Sequence, residues 1–370
     1  MHHFSQDYYA LKILLIEPFY AGSHRQWADQ WKKRSRHEIT LWTLPGRHWK
    51  WRMHGAAVSM ARRYQQKKPL VDLIVASDFL DIATFKGLSG CQVPILAYFH
   101  ENQFSYPWSK TDTDVKDRRD RRYMWINYTS VLTADAVWFN SRYNRDSMFN
   151  ALPGFMQAFP DDREINLEPL KRKTSIIPVG LDLLPRPNSV KKETPDIPVL
   201  VWNHRWEYDK NPELFFTTLF EFQQEKVPFK LIVLGSHTLT YPPIFDQVKI
   251  KLANHLLHFG PVESRSEYWA MLEKGTILPV TNNQDFFGIS VLEGIAAGLV
   301  PILPKGLAYD EHLDSNKFPY LFYQEKSSFK TCLHYILSTL PSLDLASFAY
   351  RYDWERVLQD YDEKVEALIK

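Results

Sequence analysis

Residues 285–298 read DFFGISVLEGIAAG, with one acid, Asp285, eight positions ahead of another, Glu293. Gly288 suits a loop that opens a short apolar helix, and Gly298 suits that helix's end. The first turn of such a helix presents backbone N–H groups without intrahelical partners, at the positive end of the dipole. Gly288, Ile289 and Ser290 are therefore candidate contacts for a diphosphate. Glu293, about a turn inside, can accept two hydrogen bonds from a ribose diol. Asp285 falls at the loop mouth, where a sugar ring can be held. The plainer alternative is an ordinary strand–loop–helix with solvated acids.

A second group, NHRWEYDKNPE at residues 203–213, directly follows an apolar run. Arg205 and Lys210 lie five apart across a turn. A guanidinium fork and an ammonium suit a leaving diphosphate, because negative charge grows on it as its bond to carbon breaks. The competing reading is a salt-bridged loop in which Glu207 and Asp209 neutralise both cations. The two groups lie about 75 residues apart in the same half of the chain, and each strengthens the other's diphosphate reading.

The first half offers further candidates. In Tyr20-Ala21-Gly22-Ser23-His24, the small residues Gly22 and Ser23 let a substrate approach the backbone closely. His100-Glu101-Asn102-Gln103 follows another apolar run, and polar residues at a carboxyl strand end face a cleft. A lone histidine reads as structural; His100 with Glu101 and Asn102 points to function. Arg47, Trp49, Lys50, Trp51 and Arg52 interleave cations with indoles, as sites for single-stranded nucleic acid do. The alternative is that both indoles are buried and hold their domain together. KDRRDRR at residues 116–122, with Arg118 and Arg119, is either a solvated helix face tempered by Asp117 and Asp120 or an RNA contact. Asp112-Thr113-Asp114 has a metal-binding D-x-D form, but it lies in a polar stretch and reads as a solvated acidic loop. No metal set and no nucleophile elbow is visible, so no metal or other cofactor is expected.

Elements must position these groups. Short apolar runs at residues 12–17, 38–43, 73–76, 94–99, 136–139 and 175–178 read as buried strands. Helical patterns lie between most of them, for example at 55–66 and 123–133. A second series of strand candidates runs 199–202, 229–234, 257–259, 276–279 and 300–303. The alternation predicts parallel α/β folding with crossover helices, twice over. The expected division is an N-terminal Rossmann-like domain at 1–184, a proline-punctuated linker at 185–198 and a C-terminal Rossmann-like domain at 199–345. An amphipathic helix is expected within 346–370, able to pack back across the domains. Two such halves leave a cleft between them for ligands.

Composition sets outer bounds. The 370 residues are too many for one ordinary α/β core and suit two. Aromatic residues make up 15%, including 12 Trp and 19 Tyr, which can stack on sugars or bases or simply fill the cores. A net charge of +2 decides nothing by itself, since a nucleic-acid site needs clustered charge. The 2 cysteines, Cys91 and Cys332, form neither a disulfide framework nor a zinc set, which fits a reducing compartment. The opening residues lack a signal-peptide core, and no apolar run reaches the ~18 residues of a membrane span. A soluble, cytoplasmic protein with no membrane partner is expected; the oligomeric state is left open.

The spacing from Asp285 to Glu293, with Arg205 and Lys210, resembles that of family-four retaining glycosyltransferases of GT-B fold. The resemblance narrows with ILLIEPFYAGSH, LPGRHWKWR, YFHENQFSYP, NHRWEYDKNPE, DFFGISVLEGIAAG and PKGLAYDE. These blocks look like the tRNA-queuosine α-mannosyltransferase family, and they run from residue 13 to residue 311, a span that takes in most of the chain. The resemblance implies GDP-mannose as donor, queuosine in a tRNA anticodon as acceptor, and metal-independent transfer with retention. Carried over by position, Arg205 and Lys210 bind the diphosphate, Glu293 the ribose and Asp285 the mannose hydroxyls. His100 lies near the anomeric centre, and Gly22 and Ser23 border it. The family-four pattern prefers Glu where this chain has Asp285, one methylene shorter. Two other readings stand beside this one. A retaining glycosyltransferase for a lipid-linked or surface glycan would show an apolar or amphipathic patch in place of Trp49 and Trp51. A non-catalytic RNA-binding protein on the same scaffold would bind no sugar nucleotide.

Overall fold

The computed structural model describes residues 10–109, 112–116, 119, 121–183, 195–237 and 240–369. The chain forms two compact units: Met1–Asp182 with Tyr352–Lys370, and Leu183–Arg351. Most of the expected linker, and Arg118, lie outside the described residues.

The first unit holds strands β1 (Lys12–Tyr20), β2 (Glu38–Pro45), β3 (Leu73–Ser77), β4 (Ile95–Phe99), β5 (Ala136–Phe139) and β6 (Thr174–Ile176). They pair in parallel in the order β2-β1-β3-β4-β5-β6. The chain reverses its direction of winding between β1 and β3. Each of β3, β4 and β5 is buried along its whole length, because helices cover both faces of a parallel sheet. That burial is why these segments are unbroken apolar runs in the sequence.

The second unit holds β7 (Val199–Trp202), β8 (Lys230–Val233), β9 (Leu256–Phe259), β10 (Ile277–Pro279), β11 (Val300–Pro304) and β12 (Phe322–Tyr323). Their order is β12-β11-β10-β7-β8-β9, the dinucleotide-fold order with its switch point between β7 and β10. Strand β12 was not expected: two residues at a sheet edge carry no periodic signal.

The final segment also departs from expectation. Helix Ala346–Tyr350 ends, and Leu181 forms a bridge to Asp353 before a second helix, Trp354–Ile369, begins. That last helix belongs to the first unit. Its Tyr361 hydroxyl receives the Trp27 Nε1–H at 3.1 Å and sits 3.0 Å from the Tyr98 hydroxyl. Trp31 and Trp138 pack their rings against the same tyrosine. Much of the first unit's aromatic excess is thus core, with the polar edges of Trp27, Tyr98 and Tyr361 paired inside it.

Candidate active site

In the second unit, the loop after β7 and the loop after β10 meet at the switch point. The side chain of Lys210 is nearly buried, with Nζ 3.1 Å from Asp209 Oδ2, 3.9 Å from Asp285 Oδ2 and 3.3 Å from the Gln284 carbonyl. Burial opposes the ammonium charge, but Asp285 and Asp209 outweigh it and raise the lysine pKa. Burial likewise opposes the Asp285 carboxylate, yet Lys210 and a Tyr309 hydroxyl bond hold its pKa below the usual value. Both groups therefore stay charged over the whole neutral range. Asp285 Oδ2 accepts from the Tyr309 hydroxyl at 2.8 Å and from Asn282 Nδ2 at 3.0 Å. Two side chains thus converge on this short acid.

Gly288 follows with φ 82°, a conformation that favours glycine, and starts helix Ile289–Ala296. A Cβ at this position would fall 2.7 Å from Tyr309 Cε1, so the ring that holds Asp285 also requires the glycine. The helix has no side-chain N-cap, so no capping side chain occupies its first N–H groups. Glu293 is buried and paired, with Arg265 Nη2 at 2.6 Å and the Tyr268 hydroxyl at 2.8 Å. Asn203 donates to the Ser290 carbonyl at 2.7 Å, and Ser290 Oγ lies 3.0 Å from His204 Nδ1. Burial and the Lys210 charge push His204 down to about 3, so it is a neutral linker between the two loops.

The competing sequence reading of the loop after β7, a salt-bridged loop, is what the structure shows. Arg205 pairs with Glu207 at 3.2 Å, and Lys210 pairs with Asp209. Asn203, Asp209, Arg265, Tyr268, Asn282 and Tyr309 were missed as site residues. Asn203, Asp209 and Tyr309 lie inside the blocks that carry the resemblance, which was the available signal. Arg265 and Tyr268 reach Glu293 from a separate helix, Arg265–Lys274, and have no spacing signature.

In the first unit, the turn after β1 and the ends of β3 and β4 come together. Gly22 (φ 51°) begins helix Gly22–Arg34, and Ser23 follows it. His24, one position on, is buried and lies 3.1 Å from Glu17 Oε2 of β1. Its ring centroid is 4.1 Å from that of His100. The His100 N–H donates to buried Asp78 Oδ1 at 2.9 Å, and its carbonyl accepts from Asn140 at 2.7 Å. His100 Nε2 is buried with no hydrogen-bond partner. Glu101 is half-buried and accepts from Gln103 Nε2 at 3.0 Å. Asn102, expected to face a cleft, is instead wholly buried: its amide bonds Asn144 and Ser147, and its oxygen accepts from Phe104 and Ser105. It folds the loop and has no open face for a ligand.

Glu17, His24 and His100 are also the one group among the described residues whose ligand-type atoms lie within 4.8 Å of one another. A cation there would have to displace the Glu17–His24 hydrogen bond, and we read the group as an ion pair beside a neutral imidazole.

The basic, indole-rich stretch divides. Pro45, at the end of β2, pairs in register with Tyr20, so residues 47–52 leave the sheet beside the Gly22 turn. Helix Trp49–Lys67 starts there. Trp49 is half-buried against Trp108 and Tyr123. Trp51 is 64% exposed. Its ring lies over Gly55, where a Cβ would be 2.5 Å from Trp51 Cε2. A glycine inside a helix costs about 1 kcal/mol, and here it lets an open indole lie flat. Arg47 is exposed, and Arg52 donates to the Pro45 carbonyl at 3.1 Å. Lys50 is not free for RNA: Nζ lies 2.6 Å from Asp112 and 2.7 Å from Asp114. The D-x-D is therefore no solvated loop. Asp114 lies in helix Thr113–Lys116, and its bond to Lys50 lowers its pKa. Arg119 is exposed just ahead of helix Arg121–Thr133.

Solved structures share this fold over nearly its whole length. Sucrose-phosphate synthase of Thermosynechococcus elongatus matches 97% of this chain and 99% of its own at 14% identity, with TM-score 0.72. Anabaena Alr3699/HepE in complex with UDP matches 96% and 100% at 13% identity, with TM-score 0.64. At such identity the likeness is one of fold: two Rossmann-like units, the GT-B architecture. The sequence goes further. Residues 12–181 match the family model for the tRNA-queuosine alpha-mannosyltransferase N-terminal region. Over 313 residues, 81% of either chain, this one is 34% identical to the tRNA-queuosine alpha-mannosyltransferase of Drosophila melanogaster. The chain belongs to the tRNA-queuosine alpha-mannosyltransferase family and is a glycosyltransferase. No helix among the described residues is long and apolar enough to cross a membrane.

Proposed function

We propose that the enzyme transfers mannose from GDP-mannose to the cyclopentene-diol of queuosine in a tRNA anticodon, with retention, in the cytoplasm. The observation that carries the donor reading is the meeting of Lys210, Asp285 and an uncapped helix start at the switch point of the second unit. Family membership carries the acceptor.

In this reading the β-phosphate of the donor lies at the N–H groups of Ile289 and Ser290, next to Gly288. Arg205 and Lys210 exchange their carboxylate partners for phosphate oxygens. The ribose diol takes over hydrogen bonds to Glu293, whose negative charge Arg265 already balances. Asp285, fixed through Oδ2 by Tyr309 and Asn282, takes mannose hydroxyls. His100 of the first unit is offered to the sugar, as the family resemblance implies. The bond from the anomeric carbon to the phosphate oxygen breaks, and the acceptor oxygen bonds to the same face. The acceptor's proton passes to the departing phosphate, so no separate base and no metal is required. Growing charge on the phosphate is met by Arg205, Lys210 and the helix dipole. Trp51 stacks on an anticodon-loop base, with Arg47, Arg52, Glu101 and Arg119 along the RNA.

The test is mass spectrometry of nucleosides from queuosine-containing tRNA incubated with the purified chain and GDP-mannose. A mannosylated queuosine that depends on both is expected. Transfer to a lipid-linked glycan and not to tRNA would replace this reading.

A further inference from the structure

Three strand ends in the first unit bring together groups that rarely share a dry site. Glu17 comes from β1, Asp78 follows β3, His100 follows β4, and His24 comes from helix Gly22–Arg34. All four are buried. Such a cluster is costly unless its charges pair. One pair does: Glu17 Oε2 and His24 Nδ1 are 3.1 Å apart. Glu17 Oε1 is fixed as well, accepting the Phe19 N–H at 2.8 Å. The His100 ring stays outside this pairing, with its Nε2 unpartnered. A buried imidazole nitrogen without a partner loses hydration with nothing in return, unless a substrate supplies the hydrogen bond.

We propose that the Glu17–His24 pair is a positioning device for His100: it seats an ion-paired ring 4.1 Å from the His100 ring and so adds to burial in holding His100 as a neutral imidazole for its substrate. The inference rests on the reading of His100 as the residue offered to the sugar.

The surroundings agree. His24 is faced by Glu17 on β1, by Asp78 beyond β3 and by Glu101 beyond β4, all acidic. Its ring also packs against those of Phe19, Phe79 and His100. Burial alone would strip its proton, but Glu17 above all, then Asp78 and Glu101, hold its pKa up to about 9. His100 is packed by Trp27 and Tyr98, each at 4.7 Å, and by His24. Burial first, and the His24 charge second, push its pKa well below the ordinary value. The same fold position thus holds one imidazole that keeps its proton and one that refuses it. A neutral imidazole can donate a hydrogen bond to a developing charge without titrating near pH 7.

The experiment is a pH titration of the folded protein by imidazole 15N resonances, with His24→Phe and Glu17→Gln beside the wild type. The His100→Gln protein serves only to assign signals. In the wild type, His24 should stay protonated to about pH 9, and His100 should stay neutral to the lowest pH at which the chain is folded. His24→Phe keeps a ring against His100 and removes the charge. It should move His100 protonation up by about one pH unit, a tenfold change. The acid limb of kcat should follow it, while KM for GDP-mannose stays within about twofold. Glu17→Gln should act in the same direction by weakening the charge on His24, so misfolding of one variant leaves the other. Ordinary titration of His100 in the wild type, or unchanged titration in both variants, overturns the proposal. The resonances need no substrate. Absence of mannosyl transfer would therefore remove the functional reading and leave the device standing, and the reverse result would do the opposite.

Discussion

The two units handle charge in opposite ways. In the second, Lys210 pairs with Asp285 across two loops, Arg265 reaches Glu293 from a separate helix, and the exposed Arg205 pairs with Glu207 in its own loop. In the first, Glu17, His24, Asp78 and His100 are sealed among aromatic rings. A site that must grip and release a diphosphate needs cations that can exchange partners: the exposed Arg205 does so at little cost, while the nearly buried Lys210 opens only when phosphate oxygens replace its carboxylates. A site that must hold one imidazole in one protonation state needs burial, because water would level the difference. The contrast suggests electrostatic grip in one unit and fixed orientation in the other.

The largest effect expected from this contrast is at Lys210. Lys210→Ala should raise the barrier by about 2–4 kcal/mol, the scale for losing a charge-stabilising donor. It should also lower Tm, since Asp209 and Asp285 would face each other without the ammonium. Arg205→Ala should lose turnover on a similar scale with Tm nearly unchanged, because its side chain is 55% exposed. Kinetics beside thermal melts check both. Near-normal turnover in both proteins would take the diphosphate away from this loop.

The next effect separates the units by pH. The folded pKa of His24, about 9, lies above its ordinary value of 6.5. Its contribution to stability is therefore full below about pH 6.5 and is lost as pH rises through 9. The loss is on the order of 3 kcal/mol. In the second unit Lys210 is raised and Asp285 lowered, while His204 and His312 are held down to about 3 and 4. None of these four titrates between pH 6.5 and 9. Amide exchange compared at pH 6.5 and 9, after correction for intrinsic rates, should show the first unit loosening and the second unchanged. Equal loosening of both would break the comparison.

Legibility in the sequence follows the same division. The second unit's candidates were visible because a loop and a helix start place their groups at fixed spacing: Arg205 to Lys210, Asp285 to Glu293. The parallel strands were visible because burial on both faces leaves unbroken apolar runs, as in β3 and β4. Glu17 was hidden inside such a run, where a lone acid in KILLIE signals nothing without its partner. Asp78 and Tyr309 were hidden because their partners are distant in the chain. Asn102 misled for the opposite reason: its polarity suggested a ligand, but a buried loop needs an amide to satisfy its own backbone. Lys50 misled likewise, since the acids that neutralise it are 62 and 64 residues away.

The indoles sharpen the comparison on a smaller scale. Trp51→Ala should weaken tRNA binding by about 1–3 kcal/mol, the usual cost of one stacking ring. GDP-mannose affinity and Tm should stay as they were. Trp49→Ala should instead lower Tm, because its ring packs with Trp108 and Tyr123. Two binding titrations and a melt distinguish them. Unchanged tRNA affinity in a stable Trp51→Ala protein would leave the acceptor resting on family membership alone.

The smallest expected effect is none: EDTA should leave turnover intact. Asp112 and Asp114 share the Lys50 ammonium at 2.6 and 2.7 Å, and Tyr123 donates to Asp114 at 2.9 Å. A divalent ion would have to expel a lysine whose charge they already balance. In the first unit, Glu17 and His24 spend one ligand atom each on the other. In the second, Asp285 faces Lys210, so the charge that a metal would supply to a diphosphate is already built in. Turnover measured with EDTA, and again with added Mg²⁺ or Mn²⁺, checks this. A strict metal requirement that Asp114→Asn abolishes would turn the Lys50 clamp into a resting state of a metal site. It would also move the electrostatic work of transfer from the second unit to the first.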